Sequence, residues 1–149
     1  MNALELLARQ TERQSEKLIA LALSLPADKL EFLPSAGNRT ALNQLQECAT
    51  AVSFFWDLYT TRTMEMSEVR FKEWMILRSQ LTTLEAVCDG IRSDTKRMVE
   101  FILGLDESEL NAPISMPWPG EFQLADVLGF HSWNMAYHEG QITFIASMT

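Results

Sequence analysis

Apolar residues return every three or four positions along four long stretches of this chain, and this spacing constrains the fold more than any other feature. Such spacing places apolar side chains on one face of an α-helix, whereas a half-buried strand requires strict alternation. The first stretch predicts a helix from about Ala3 to Leu25, which Pro26 ends. The third predicts a helix that begins with the capping-box pattern Thr82-Thr-Leu-Glu85 and ends at Gly104.

The second and fourth stretches predict longer helices. The second runs from Thr40 to roughly Thr61 and is apolar over more than half its circumference, as in helices buried on several sides. The fourth runs from Glu121 to about Ala146. The prolines of residues 106–120 exclude a helix before it, although residues 114–116 are expected to be briefly extended. Residues 63–80 are mixed and predict either a short helix or a covering loop.

These four amphipathic helices, with no convincing strand between them, predict an all-α protein of the four-helix bundle class. The length of 149 residues suits one domain with a single core, so residues 1–149 are predicted to form one domain. Hydrophobic residues make up 47% and charged residues 21%, which is typical of a globular protein.

The charge of the chain argues against two classes of partner. The formal net charge is -8 and there is no basic run, so the chain has no positive surface to attract phosphate groups. Nucleic acid and anionic membranes are therefore not expected as partners. The longest apolar run near the start, Leu18–Leu25, is too short to span a bilayer. Glu5, Glu12 and Glu16 precede it, where a signal peptide carries positive charge. We therefore expect a cytoplasmic location.

Two cysteines, Cys48 and Cys88, lie inside helical apolar patterns. Neither belongs to a C-x-x-C pair. They are predicted to be small buried side chains with free thiols, since disulfides are rare in a reducing cytoplasm.

Both histidines of the chain fall in one short stretch of the fourth predicted helix. His131 and His138 are seven positions apart, and Asn134 lies between them, so the three side chains share one helical face. The rest of that face is apolar. Polar side chains within a core stripe are costly to bury without partners, so this stretch predicts either a functional site or a hydrogen-bonded network.

Glu47 on the second helix is the best-placed acidic partner for these groups. It lies on the same side as Ala51 and Leu58, so it either sits on a rim or points into the bundle, where it needs a cation, a histidine or a metal. Bundles build metal sites from facing helices, and imidazole with carboxylate suits zinc, nickel or iron. An asparagine carbonyl is a weaker ligand, better suited to holding a bound water.

Aromatic residues and a glycine surround the histidines. Trp118, Trp133 and Tyr137 are expected either to line a mouth near the site or to belong to the core. Gly140 in mid-helix predicts close contact with another helix. The sequence contains no glycine-rich phosphate loop, no H-E-x-x-H motif and no recognised nucleophile motif.

The stretch Tyr137-His138-Glu139-Gly140-Gln141-Ile142 resembles the signature of the DinB/YfiT-like metalloenzyme family. That signature is usually H-x-x-x-H-x-G-Q on the last helix, with one more histidine on the second helix. The resemblance extends to the length and the helix order. It also covers the Leu-Pro-Ser-Ala-Gly connection at residues 33–37 and the Pro-Trp-Pro segment at residues 117–119.

The resemblance implies a DinB-like four-helix bundle in which three histidines bind a divalent metal, often nickel or zinc. Some members of the family are thiol-dependent S-transferases, and homodimers are common. Carried over by position, the final metal histidine is His138, and the other two positions hold Asn134 and Glu47. His131 lies one turn before Asn134 and is the fourth candidate ligand.

Two hypotheses about function follow. In the first, Glu47 and His138 hold a divalent metal, helped by His131 or by a water on Asn134. That metal would lower the pKa of a bound water or thiol for a transferase or hydrolase reaction on a small molecule or a thiol. In the second, the chain is a metal-free binding or dimerisation module in which His131, Asn134 and Glu47 form a hydrogen-bonded network. A homodimer is expected in either case.

Overall fold

Helices account for most of residues 1–148, the part of the chain that this computed structural model describes. In chain order they are α1 (Ala3–Ser24), α2 (Ala41–Cys48), α3 (Ala51–Phe54), α4 (Trp56–Thr61), α5 (Glu68–Ser79), α6 (Leu84–Leu103), α7 (Leu124–Leu128) and α8 (Phe130–Ser147). Strands β1 (Pro113–Ile114) and β2 (Phe122–Gln123) pair antiparallel, and single 3-10 turns occupy Ala27–Lys29 and Glu107–Asn111.

The long helices form the predicted all-α four-helix bundle. Helix α1 packs against α6 and α8, while α2 packs against α8 and α6. Their apolar faces meet in a core that includes Leu18, Leu45, Ile91 and Ile142, all fully buried. The periodic stripes therefore predicted both the helices and the faces by which they associate.

The prediction of one helix from Thr40 to Thr61 is wrong, because the chain breaks twice within it. Thr50 (φ -132°, ψ -3°) separates α2 from α3, and Phe55 separates α3 from α4. Asp94 of α6 accepts hydrogen bonds from the backbone nitrogen and the hydroxyl of Ser53 at 3.2 and 2.9 Å. A buried carboxylate on a neighbouring helix thus satisfies the donors near the break, and the apolar spacing continues across it unchanged.

The last predicted helix is also divided. Glu121 lies outside it, because Phe122–Gln123 is extended and pairs with β1. Helix α7 follows, and Gly129 separates it from α8. The expected extended segment at residues 114–116 is confirmed in part, since β1 ends at Ile114 and Ser115 forms a parallel bridge with Thr63.

Helix α6 begins one residue later than its capping-box pattern predicted. The hydroxyl of Thr83, not that of Thr82, accepts from the backbone nitrogen of Ala86 at 3.1 Å. The predicted end at Gly104 is confirmed, since its backbone nitrogen donates to the Glu100 carbonyl at 3.1 Å. The mixed residues 63–80 contain a true helix, α5.

Two predicted properties concern the environment of the chain. Cys48 and Cys88 are buried and free, as the apolar patterns predicted. Within residues 1–148, no helix has both the length and the apolar character needed to cross a membrane.

Two helical glycines have opposite surroundings. A Cβ added to Gly90 of α6 would lie 2.8 Å from the Cβ of Ala49, closer than real Cβ atoms approach. A Cβ added to Gly140 of α8 would meet nothing within 4 Å, so the predicted helix contact at Gly140 is wrong. The close approach of two helices therefore depends on Gly90.

We expect Gly90→Ala to lower the free energy of unfolding by about 1–3 kcal/mol, since the added methyl group forces α6 away from Ala49. Gly140→Ala is the matched control. It should raise that free energy by up to about 1 kcal/mol, because alanine is the better helix former and has space. Urea denaturation of both variants measures the difference, and equal effects would contradict this assignment of the contact.

Candidate functional site

His138 lies at the centre of the candidate site, on the buried face of α8, and is 1% exposed. Its Nδ1 lies 2.8 Å from Oε1 of Gln44 and 3.1 Å from Oε1 of Gln141. Its Nε2 lies 3.2 Å from Oε1 of Glu47. Both ring nitrogens therefore already face side-chain oxygens.

Glu47 points inward from α2 and is held by two arginines. Its Oε2 accepts from Nη2 of Arg39 at 2.6 Å and lies 3.5 Å from Nη1 of Arg78. Arg39 also donates through Nε to the Asn43 side chain at 2.6 Å, and Arg78 donates to the Asn43 carbonyl at 2.7 Å. The carboxylate thus lies between two guanidinium groups and an imidazole.

These neighbours determine the charge of Glu47. Burial acts to raise its pKa, but the hydrogen bond with His138 and the charge of Arg39 outweigh burial and lower the pKa from 4.5 to about 2. Burial also lowers the pKa of Arg78, against the opposing effect of Glu47. Because a guanidinium group remains protonated in proteins at neutral pH, Arg78 and the carboxylate form a charged pair.

Asn134 and Cys48 occupy the neighbouring part of the site. The Asn134 amide nitrogen lies 3.9 Å from the Cys48 sulfur, within the longer hydrogen-bond range of sulfur. Burial raises the pKa of the Cys48 thiol well above its ordinary value. The thiol therefore stays protonated at neutral pH and is a poor nucleophile.

His131 faces a different helix from the one that carries Glu47. Its Nε2 lies 2.9 Å from the hydroxyl of Thr95 on α6, and its buried Nδ1 has no hydrogen-bond partner within residues 1–148. Burial lowers its pKa to about 4, so the ring is neutral at pH 7. Of the four predicted site residues, the structure brings Glu47 and His138 into direct contact, whereas His131 joins α8 to α6.

A cavity of about 370 Å³ opens beside Glu47. Its walls are mostly aromatic, and its lining consists of Glu47, Ala51, Phe55, Tyr59, Trp74, Trp118, Phe130, His131, Trp133 and Asn134. Trp118 and Trp133 are 44% and 66% exposed, so both lie at its mouth. This agrees with the first of the two alternatives predicted for them, a place at the mouth of the site or in the core. Tyr137 instead lines a separate groove with Arg39.

The donors present do not fit the predicted zinc or nickel site. Among residues 1–148, no three His, Cys, Asp or Glu side chains lie together in a way that could hold a metal ion. Zinc sites in proteins use at least three such ligands. A divalent cation at Glu47 would also lie beside the positive charges of Arg39 and Arg78.

Sequence reasoning missed the two arginines and Gln44. Arg39 stands in a connection, directly before the N-cap Thr40, and Arg78 lies on α5, where the pattern was mixed. The one available signal was Glu47 itself, because an inward carboxylate needs a cation. Nothing in the spacing of apolar residues says which basic side chain supplies it.

We expect Glu47→Gln to lower the free energy of unfolding by about 3 kcal/mol at pH 7, since it leaves the buried Arg78 without a carboxylate. A carboxylate whose pKa falls from 4.5 to about 2 on folding stabilises the fold above pH 4.5, and this stabilisation is lost as the pH falls through 2. The difference between wild type and variant in urea denaturation should therefore shrink between these pH values.

Glu139→Gln is the matched control for that measurement. Glu139 is the next residue to His138 but contacts Gln14 instead of an arginine. Its replacement should change the free energy of unfolding by about 1 kcal/mol or less at pH 7. A pH-independent loss in Glu47→Gln would contradict the assignment of the low pKa.

Comparison with known proteins agrees with this architecture. A DinB-like protein from Bacillus subtilis (YjoA) superposes with a TM-score of 0.66 at 14% identity, covering 94% of this chain and 89% of that one. A Streptococcus pneumoniae protein solved as a structural genomics target superposes with a TM-score of 0.70 at 15% identity, covering 97% and 90%. At such identities these likenesses show the fold alone.

The sequence itself carries the family assignment. No curated protein matches the chain. The family model described as the DinB superfamily matches residues 10–142, which include α2, α5, α6 and all of the site residues described above. The chain therefore belongs to the DinB superfamily.

Proposed function

We propose that this protein binds a small, uncharged, largely apolar molecule in the cavity beside Glu47, without a divalent metal. The observation that carries the proposal is the cavity itself, with a volume of about 370 Å³ and aromatic walls. Ligand sites in proteins are typically concave and mostly apolar, with a few polar groups, and measure about 300–1,000 Å³.

The charges around the cavity support an uncharged ligand. Glu47 is the one carboxylate among its lining residues in the described chain, and it is already paired with Arg39 and Arg78. His131, which also lines the cavity, is neutral at pH 7 because burial lowers its pKa to about 4. A charged ligand would lose its hydration without gaining an unpaired opposite charge, which is unfavourable.

The metal-dependent transferase or hydrolase is the competing proposal. It requires zinc or nickel at Glu47, Asn134, His138 and His131, yet Glu47 and His138 are bonded to other side chains and His131 faces Thr95. A thiol substrate in that mechanism would also need the metal as its activator. The donor set therefore favours binding without a metal over metal-dependent chemistry.

Toluene, benzoate and benzylammonium form a matched set of probes for the cavity. We expect toluene to bind and both charged analogues to bind at least about tenfold more weakly, since each must bury an unpaired charge. Calorimetric titration measures the affinities, and quenching of Trp74, Trp118 and Trp133 reports where binding occurs.

Two exposed aromatic residues of α8 provide the variants for this titration. Trp133→Ala should weaken toluene binding by about tenfold, because the indole forms part of the mouth. Phe144→Ala is the control, since Phe144 is similarly exposed but lies outside the cavity. Failure of all three probes to bind would contradict the proposed function.

A second proposal, self-association, rests on the outer face of α8. Trp133, Tyr137 and Phe144 are exposed there, and the first two rings stack with centroids 5.6 Å apart. Residues 130–147 include no lysine or arginine and one carboxylate, Glu139, which bonds to Gln14. Two copies of a chain with net charge -8 repel each other. Association through an uncharged apolar face minimises this electrostatic repulsion.

We therefore expect a dimer in sedimentation velocity that Phe144→Glu converts to monomer, because it places two like charges in the interface. Val69→Glu on α5, an equally exposed apolar position away from α8, should leave the dimer intact. A wild-type monomer over the whole concentration range measured would contradict self-association.

A further inference from the structure

Two guanidinium groups converge on one carboxylate in the place where the family resemblance puts a metal. Arg39 approaches Glu47 from the connection before α2, and Arg78 approaches it from α5. The three side chains together carry one net positive charge. A single carboxylate is normally balanced by one cation, so the second arginine needs an explanation.

The contacts of Arg78 show that its position is built into the fold. Its side chain is 4% exposed, and it donates to the Asn43 carbonyl at 2.7 Å. Its guanidinium also lies 4.8 Å from the ring centroid of Trp74, a cation–π contact that favours a desolvated cation. Backbone, ring and carboxylate therefore hold this charge in one place between α2 and α5.

We propose that Arg39 and Arg78 take the place of a divalent cation beside Glu47 and His138, so that side chains of the protein itself supply the positive charge of the site. The guanidinium groups occupy the Oε2 atom of Glu47, and their charges repel any further cation. Like a metal, Arg78 joins elements distant in sequence, because it brings α5 to Glu47 on α2, while Arg39 holds the connection before α2 at the same carboxylate. This inference does not depend on a ligand in the neighbouring cavity.

A simpler explanation for why the site does not fit a divalent metal is that it lacks a third ligand, because Asn134 occupies the position where the family signature has a histidine. The two explanations differ once that ligand is supplied. Asn134 is one turn before His138 on α8, and its amide contacts Cys48, the neighbour of Glu47. Asn134→His therefore adds an imidazole on the same helical face as His138. If the arginines exclude a cation, the single change Asn134→His is insufficient for metal binding.

The experiment compares nickel and zinc binding by titration calorimetry in protein without an affinity tag. The variants are wild type, Asn134→His, Asn134→His with Arg39→Met, and Asn134→His with both Arg39→Met and Arg78→Met. We expect no saturable binding of either metal in wild type and Asn134→His, and one saturable equivalent in each of the two variants that lack arginines, with an affinity at least about tenfold above the detection limit of the titration. Arg62→Met in the Asn134→His background is the control, because Arg62 pairs with the distant Glu109.

Three outcomes would overturn the inference. One is a wild-type protein that binds an equivalent of nickel or zinc and loses it in His138→Ala. Another is equal affinity of Asn134→His with and without the arginines, and the third is no binding in any folded variant. Circular dichroism verifies folding. If loss of the buried Arg78 unfolds the chain, the variant with Arg39→Met decides, since Arg39 is 38% exposed and its loss is better tolerated.

Discussion

The contact on which the site depends is the pairing of the half-buried Glu47 carboxylate with Arg39, Arg78 and His138. An inward carboxylate on a bundle helix is costly to bury unless cations and hydrogen-bond donors surround it. Here each partner comes from a different part of the chain: α5, α8 and the connection before α2. The Arg78–Glu47 ion pair therefore joins α5 to α2 through Arg78, the one buried residue of α5.

The need of buried polar groups for partners also explains the contacts found where the bundle departs from straight helices. The second predicted helix breaks near Ser53, and the buried carboxylate of Asp94 accepts from its backbone nitrogen and hydroxyl. Thr50, at the first break, accepts from the Trp74 indole nitrogen at 2.8 Å. The Asp94 carboxylate thus takes the place of a helical acceptor for the Ser53 backbone nitrogen, while Trp74 joins α5 to the first break and also lines the cavity.

Sequence periodicity predicted the bundle and the helical faces that carry Glu47 and His138, because both follow from the spacing of apolar residues. It left the partner of Glu47 open between a cation, a histidine and a metal. It missed the helix breaks, since apolar spacing continues through Thr50 and Gly129. It also missed Arg39 and Arg78, because long flexible side chains from a connecting segment or from a helix of mixed pattern reach Glu47 without any periodic signature. Periodicity also did not predict the His131 contact with Thr95, because helical spacing gives the face that a residue occupies but not the neighbouring helix that it contacts.

A guanidinium group and a metal ion differ in what they do beside a carboxylate. Both supply positive charge and join distant segments, but a guanidinium offers only fixed N–H donors, whereas a catalytic metal has open positions that bind and acidify water. Arg39 and Arg78 hold the Glu47 carboxylate at the polar end of the cavity but supply no open coordination position of this kind, and burial keeps the neighbouring Cys48 thiol protonated. The proposed replacement of a metal by arginines in this member of the DinB superfamily therefore implies recognition of a ligand without metal-assisted chemistry at this place in the fold.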